Sequence, residues 1–157
     1  MKKYIPLLLL IVIIFISSSQ SYEQQSIVPT LQQLLPNQPF YNFLSLFKIP
    51  YWGITVSVEE RGYYYFIEFL VRKAAHMLSF GAMAIVIYIA LFPRKYRYVY
   101  ALIITFILAL ADEFHQYFTD GRTATMSDVW LDTFGGFLLL TLFVLILALI
   151  RKWKSKR

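Results

Sequence analysis

The sequence predicts an all-α fold, an integral membrane four-helix bundle, and three observations carry that prediction. Residues of the hydrophobic class make up 59% of the 157 and charged ones only 15%. With a mean hydropathy of +0.58, this is not the balance of a soluble domain of that size. The apolar residues gather into four runs, at approximately 4–20, 70–92, 98–116 and 129–150. As helices rising about 1.5 Å per residue, such runs suit a hydrocarbon core roughly 30 Å thick. Charge supplies the third observation. Ten of the fifteen basic residues lie in three places: Lys2 and Lys3; Arg94, Lys95 and Arg97; and the tail 151–157 with Arg151, Lys152, Lys154, Lys156 and Arg157. None of these places holds an acid. Lys and Arg are retained on the cytoplasmic side of a membrane, so both termini and the turn near Arg94 are expected inside. The net charge of +6 then reports topology and attraction to anionic lipid. The partner it implies is the lipid bilayer, not nucleic acid. With no cysteine, there is no disulfide framework, thiolate nucleophile or Cys-based zinc site.

The first run, Tyr4 to Ile16, follows two lysines and precedes Ser17-Ser18-Ser19-Gln20. A basic start, an apolar stretch and small residues also describe a cleavable signal peptide. Residues 21–69 form the expected extracytoplasmic segment between spans one and two. In it, Ile27, Leu31, Leu34 and Leu35 recur at helical spacing, with Pro29 early and Pro36 as a stop. The stretch from Phe40 to Phe47 repeats the pattern. Both read as short amphipathic helices lying on the membrane surface or capping the bundle. Ile54 to Val58 alternates and is β-branched, which suits a short strand.

Residues 59–92 contain no proline, and Glu59 and Glu60 favour a helix start. One long helix is expected here, entering the membrane near Ala74, with Arg72, Lys73 and His76 on one face at its outer end. Pro93 ends it. The third span, 98–116, returns outward and finishes on Asp112, Glu113, His115 and Gln116. Asp120-Gly121 marks a turn. Ser127-Asp128 has the character of a helix start, with Ser as the cap and Asp suited to the dipole. Asp128 and Asp132 share a face of the fourth span, and Gly135-Gly136 permits a close helix approach.

Alternating spans place one end of each of these helices on the same side of the bilayer. Arg72, Lys73, His76, Asp112, Glu113, Gln116, Arg122, Asp128 and Asp132 are therefore expected at one outer level, with His115 at its periphery. Each ionisable group near a membrane costs about 2.5–3.5 kcal/mol on insertion scales, so such a cluster needs a compensating reason. The bulk of spans three and four is without charge, which argues against a transport path.

The sequence resembles the VanZ-like family. The resemblance is carried by Arg72-Lys73-Ala74-Ala75-His76, Asp112-Glu113-Phe114-His115-Gln116, Arg122, and Asp128 with Asp132 and Gly135-Gly136. Order and spacing follow the family pattern K-x-x-H, D-E-x-x-Q, R, D-x-x-x-[N/D]-x-x-G. The polar end of the first run, Phe15 to Gln20, also looks like the family's, and it favours a retained span over a cleaved signal. The chain departs from the pattern at Ser79-Phe80, where the family often has Glu-Tyr. The resemblance implies a multi-pass protein of the bacterial cell membrane, in a family associated with resistance to the glycopeptide teicoplanin. It implies no settled reaction.

Three readings of the cluster follow. It can bind an envelope ligand, such as a lipid-linked cell-wall precursor or a glycopeptide, with Arg122 and Lys73 on anionic groups and Tyr63, Tyr64 and Tyr117 as flat surfaces. It can be the acid/base centre of a membrane-embedded hydrolase or transferase, with Glu113 or Asp112 as base and His76 as acid. Or it can be an ion-pair network joining helix ends, with Lys73 and Arg122 neutralising Asp112, Asp128 or Asp132. The His and carboxylate mixture suits a divalent metal. No H-E-x-x-H, G-x-S-x-G or phosphate-binding Gly loop is present, and neither metal nor cofactor is expected.

Overall fold

Uninterrupted apolar runs satisfy their backbone groups by forming helices, and the helices end where prolines, glycines and polar clusters stand in the sequence. The structure is a computed structural model. It describes residues 2–156, without the Lys2 side chain, so Arg157 of the expected basic tail lies outside the described residues. It comprises α1 (Ile5–Ser18), α2 (Val28–Leu34), α3 (Tyr41–Leu44), β1 (Ile49–Tyr51), β2 (Ile54–Val56), α4 (Val58–Arg61), α5 (Tyr63–Ala90), α6 (Arg97–Gln116) and α7 (Met126–Lys154).

Helices α5, α6 and α7 are long and apolar enough to cross a membrane. They pack mutually, most extensively α5 on α7, and α1 lies against α5 and α6. The close approach of α5 and α7 depends on Gly135. A Cβ at that position would sit 2.8 Å from the Cα of Met77, so only glycine lets the two backbones meet. Below this contact Met83, Ala84, Ile87, Ala101 and Leu140 form the main apolar core. At 14 residues α1 is shorter than the other three, about 21 Å at the α-helical rise. Its two ends nevertheless reach the two ends of the bundle. Lys3 Nζ is 3.4 Å from the carbonyl of Phe92 in the α5–α6 turn, and Ser18 donates to Asp112 at the far end of α6.

Three boundaries differ from the sequence-based expectations. The strand expected over Ile54 to Val58 forms as β2, but it pairs with β1, which was not expected, so the fold is not wholly α. β1 and β2 form an antiparallel hairpin in register Ile49↔Val56 and Tyr51↔Ile54. Its two-residue turn, Trp52-Gly53, has positive φ at both positions (51° and 73°), the geometry that follows the natural twist of a hairpin. The expected single helix over 59–92 is divided, because Gly62 at φ 83° closes α4 before α5 begins. Helix α7 is capped by Thr125 and not by Ser127. Thr125 is extended, and its hydroxyl accepts the N–H of Asp128.

The hairpin, α2 and α4 sit over the N-terminal end of α5. Val56, Val58, Tyr63 and Phe66 make a second small core there, with Leu35 and Leu44 against it. This layer roofs the end of the bundle at which the polar residues converge.

Candidate functional site

The α5 side of the site begins with Glu68, a residue that periodicity alone hides within the apolar stretch from Tyr63 to Val71. Glu68 is 1% exposed. It accepts from Arg72 one turn on (2.9 Å), from the backbone N–H of Ile27 (3.1 Å), and from Ser26 and Tyr22 (3.3 and 3.4 Å). It therefore ties the segment after α1 to α5. The guanidinium of Arg72 also lies over the Tyr22 ring, 4.4 Å from its centre. The i, i+4 spacing of Glu68 and Arg72 is the one sequence signal for this hub.

One turn of α5 onward, Lys73 pairs with Asp128 of α7. It also lies 4.6 Å from the centre of the Tyr51 ring. The Tyr51 phenol donates to the same Asp128. Burial, then this hydrogen bond, raises the Tyr51 pKa well above that of free tyrosine. Asp128 thus has partners on α5, on the hairpin and in its own helix cap, where the Thr125 hydroxyl donates to it.

Asp112 and Gln116 share one turn of α6. Ser18 donates to Asp112 Oδ1 at 2.5 Å, and Gln116 Nε2 donates to Oδ2 at 2.7 Å. Arg122 Nη1 then donates to Gln116 Oε1 at 3.1 Å, and its other nitrogens reach Gln25 Oε1 and the carbonyl of Gln20. The expected pairing of Arg122 with a carboxylate is replaced by this arrangement. Its hydrogen-bond partners are uncharged, and it reaches Asp112 only through Gln116. The physical reason is chain geometry. The turn after α6 brings Arg122 to the residues following α1, which offer amides and carbonyls. Burial lowers the pKa of Arg122, and the charge of Arg72 adds to the effect, yet a guanidinium remains cationic at neutral pH.

Glu113, 6% exposed, accepts the backbone N–H of Thr125 and so holds the start of α7 against the end of α6. His76 Nδ1 lies 3.3 Å from Asp132 Oδ2 across the α5–α7 contact. Asp132 is 2% exposed, and its Oδ1 has no partner among the described residues. A buried acceptor left unpaired costs about 1–3 kcal/mol. His115 stacks on Phe15 at 4.4 Å and meets Ser19, outside this centre.

Between the hairpin, α5 and the α6–α7 loop is a cleft of about 230 Å³. Four cations line it, Arg61, Arg72, Lys73 and Arg122, against the single carboxylate Asp128. Its flat surfaces are Tyr22, Tyr51, Trp52 and Phe69. They are not the expected Tyr63, Tyr64 and Tyr117. Tyr63 and Tyr64 turn their hydroxyls to the carbonyls of Pro39 and Leu35, and Tyr117 is exposed elsewhere. Arg61, Glu68, Tyr22, Tyr51, Gln25 and Ser18 are the contributors that sequence reasoning did not single out. All but Glu68 come from turns, short elements or the end of α1, which only long-range contacts bring here.

The cleft is thus a concave, cationic and aromatic surface, and the residues beneath it form a buried polar layer. A family model described as VanZ/LLP1 matches residues 4–148. Neither a curated protein nor a solved structure matches the chain.

Proposed function

The chain belongs to the VanZ/LLP1 family, and from that premise we propose that it is a four-span protein of the bacterial cell membrane whose outward-facing cleft binds the anionic headgroup of an envelope lipid or lipid-linked cell-wall precursor. Through that ligand it influences susceptibility to teicoplanin. The observation that carries the reading is the charge of the cleft: of its four cations Arg72 is paired with Glu68 and Lys73 with Asp128, while Arg61 and Arg122 have no carboxylate within 4.0 Å among the described residues, and Arg122 is held by uncharged acceptors. A planar guanidinium that is not ion-paired to a carboxylate keeps N–H groups suited to recognition of phosphate. The aromatic rings beside it suit the apolar faces of a sugar or the glycerol region of a lipid.

The four-span topology, with both termini cytoplasmic, is supported by α1. It runs from the α5–α6 turn, among the clustered basic residues, to the polar end at Asp112. Residues 21–69 then lie outside, where the hairpin and short helices frame the cleft. A hydrolase or transferase reading is supported by the convergence of His76 with Asp112 and Asp132. In that reading Glu113 or Asp112 is the base and His76 the acid, although each carboxylate also accepts structural hydrogen bonds.

The test uses the full-length protein in nanodiscs or detergent. Native mass spectrometry compares phosphatidylglycerol with phosphatidylcholine, for wild type and Arg122→Gln. Preferential, salt-sensitive retention of the anionic lipid that falls in the variant is expected. Equal retention of both lipids overturns the reading. A companion assay measures teicoplanin and vancomycin susceptibility of a strain producing each form at equal level. A shift for teicoplanin that Arg122→Gln abolishes is expected, and no shift in either strain removes the resistance role.

A further inference from the structure

Beneath the cationic cleft, three side chains from three helices converge. His76 of α5, Asp112 of α6 and Asp132 of α7 each present one donor atom, and the three lie within 4.8 Å of one another. We propose that these residues form a binding site for a divalent first-row metal ion, with Zn²⁺ the best fit. The proposal stands apart from headgroup binding in the cleft.

Its first support is charge. Two carboxylates stand together here, and neither pairs with Lys or Arg within 4.0 Å among the described residues. Among the described residues Asp112 is satisfied only by Ser18 and Gln116, and Asp132 only by His76. The nearest cations are committed elsewhere: Lys73 to Asp128, and Arg122 to Gln116 and Gln25. A divalent ion would neutralise the pair where no Lys or Arg among the described residues does.

The second support is the orphaned oxygen. Asp132 is 2% exposed and faces His76, yet its Oδ1 has no partner among the described residues. A fully buried carboxylate is normally satisfied on both oxygens, and a metal supplies the missing partner.

The third is geometry. A tetrahedral Zn²⁺ holds its donors at about 2.0–2.2 Å, hence about 3.4 Å from each other. Donors within 4.8 Å of one another need to close by no more than about 1.4 Å to reach that spacing, a movement within the reach of side-chain rotation. One imidazole and two carboxylates leave a fourth position open, as catalytic zinc sites do. The imidazole argues against Mg²⁺ and Ca²⁺, which prefer oxygen alone. Ser18 and Gln116 already orient Asp112 by hydrogen bonds, as outer partners of metal ligands do. Two cavities give access. One, of about 120 Å³ and lined by Ser17, Ser18 and Ser79, reaches His76; the other, of about 240 Å³ between α1, α5 and α6, reaches Asp112.

The experiment uses full-length protein purified in detergent without a His tag and stripped with EDTA. Zn²⁺ and Mg²⁺ are titrated against a chromophoric chelator, and bound metal is counted by mass spectrometry. About one Zn²⁺ per chain, and no saturable Mg²⁺, is expected of wild type. His76→Gln and Asp132→Asn should lose the ion, and Ser18→Ala should weaken it by about 10–100-fold as outer-partner changes do. No saturable Zn²⁺ in wild type overturns the proposal, as does undiminished binding in folded His76→Gln and Asp132→Asn. If those variants fail to fold, the Co²⁺-loaded wild type decides. A visible d–d band abolished by Zn²⁺ supports the site, and its absence overturns it.

Discussion

Replacing Gly135 with alanine adds one methyl group where a glycine of α7 lies directly against the α5 backbone. That methyl would lie 2.8 Å from Met77 Cα and 2.9 Å from its carbonyl carbon. Carbon atoms rest about 3.5–4.0 Å apart, so α5 and α7 must separate by roughly 0.7–1.2 Å. The obstacle is backbone, which cannot rotate away. Overpacking of this kind costs about 1–3 kcal/mol. In a chain of this length each kcal/mol lowers the melting temperature by about 2–4 °C, so Gly135→Ala should melt about 2–12 °C below wild type. Gly136→Ala is the graded control. Its methyl meets the Thr105 Cγ2 at 2.9 Å and the Ala84 Cβ at 3.5 Å, a side-chain contact with more room to adjust, so its loss should be smaller. The assay is thermal unfolding in detergent, followed by circular dichroism. A Gly135→Ala protein that melts with wild type, or a larger loss in Gly136→Ala, refutes the close-contact reasoning. Because His76 and Asp132 face each other one turn away, Gly135→Ala should also pull that pair apart.

Glu68→Ala should strip the segment after α1 from α5 and leave the part-buried Arg72 unpaired. Breaking a buried pair costs about 3–5 kcal/mol, so limited proteolysis within residues 21–57 should accelerate sharply; unchanged cleavage removes Glu68 as the hub. Glu113→Gln keeps an acceptor for the Thr125 N–H but exchanges a charged one for a neutral one, at about 1 kcal/mol. A melting loss of a few degrees with susceptibility intact is expected, and loss of the susceptibility shift at equal protein level would instead assign Glu113 a chemical role. Tyr51 carries the alkaline prediction. Burial and its bond to Asp128 raise its folded pKa above the ordinary 10.0, so folding favours the protonated phenol. Its contribution is complete below pH 10 and declines as pH rises toward the folded pKa. Above about pH 10 the melting temperature of wild type should therefore fall more steeply than that of Tyr51→Phe, and parallel declines in the two would exclude Tyr51.

Several features follow from the sequence alone because they depend on local physics. The apolar runs that become α5, α6 and α7 are legible from length and hydropathy, since a spanning helix satisfies its own backbone. Their ends are legible from Pro93 and from the Asp120-Gly121 turn. Gly135 as a packing contact follows from its place beside Asp132 on one helix face. Convergence of Lys73, His76, Asp112, Asp128 and Asp132 at one level follows from alternating helix direction. Which residue meets which does not. Lys73 pairs with Asp128, which the hairpin also meets through Tyr51. Arg122 takes Gln116 and Gln25 because the α6–α7 turn folds back over the end of α1. Glu68 is invisible as a hub until residues 22–27 fold onto it. The cleft has the same origin, since its walls come from the hairpin, α5 and a loop far apart in the chain. Hydropathy and spacing report how a residue sits in its own helix. The partner of a buried charge is settled by whatever other segment supplies the nearest hydrogen bond, and that is a property of the tertiary fold.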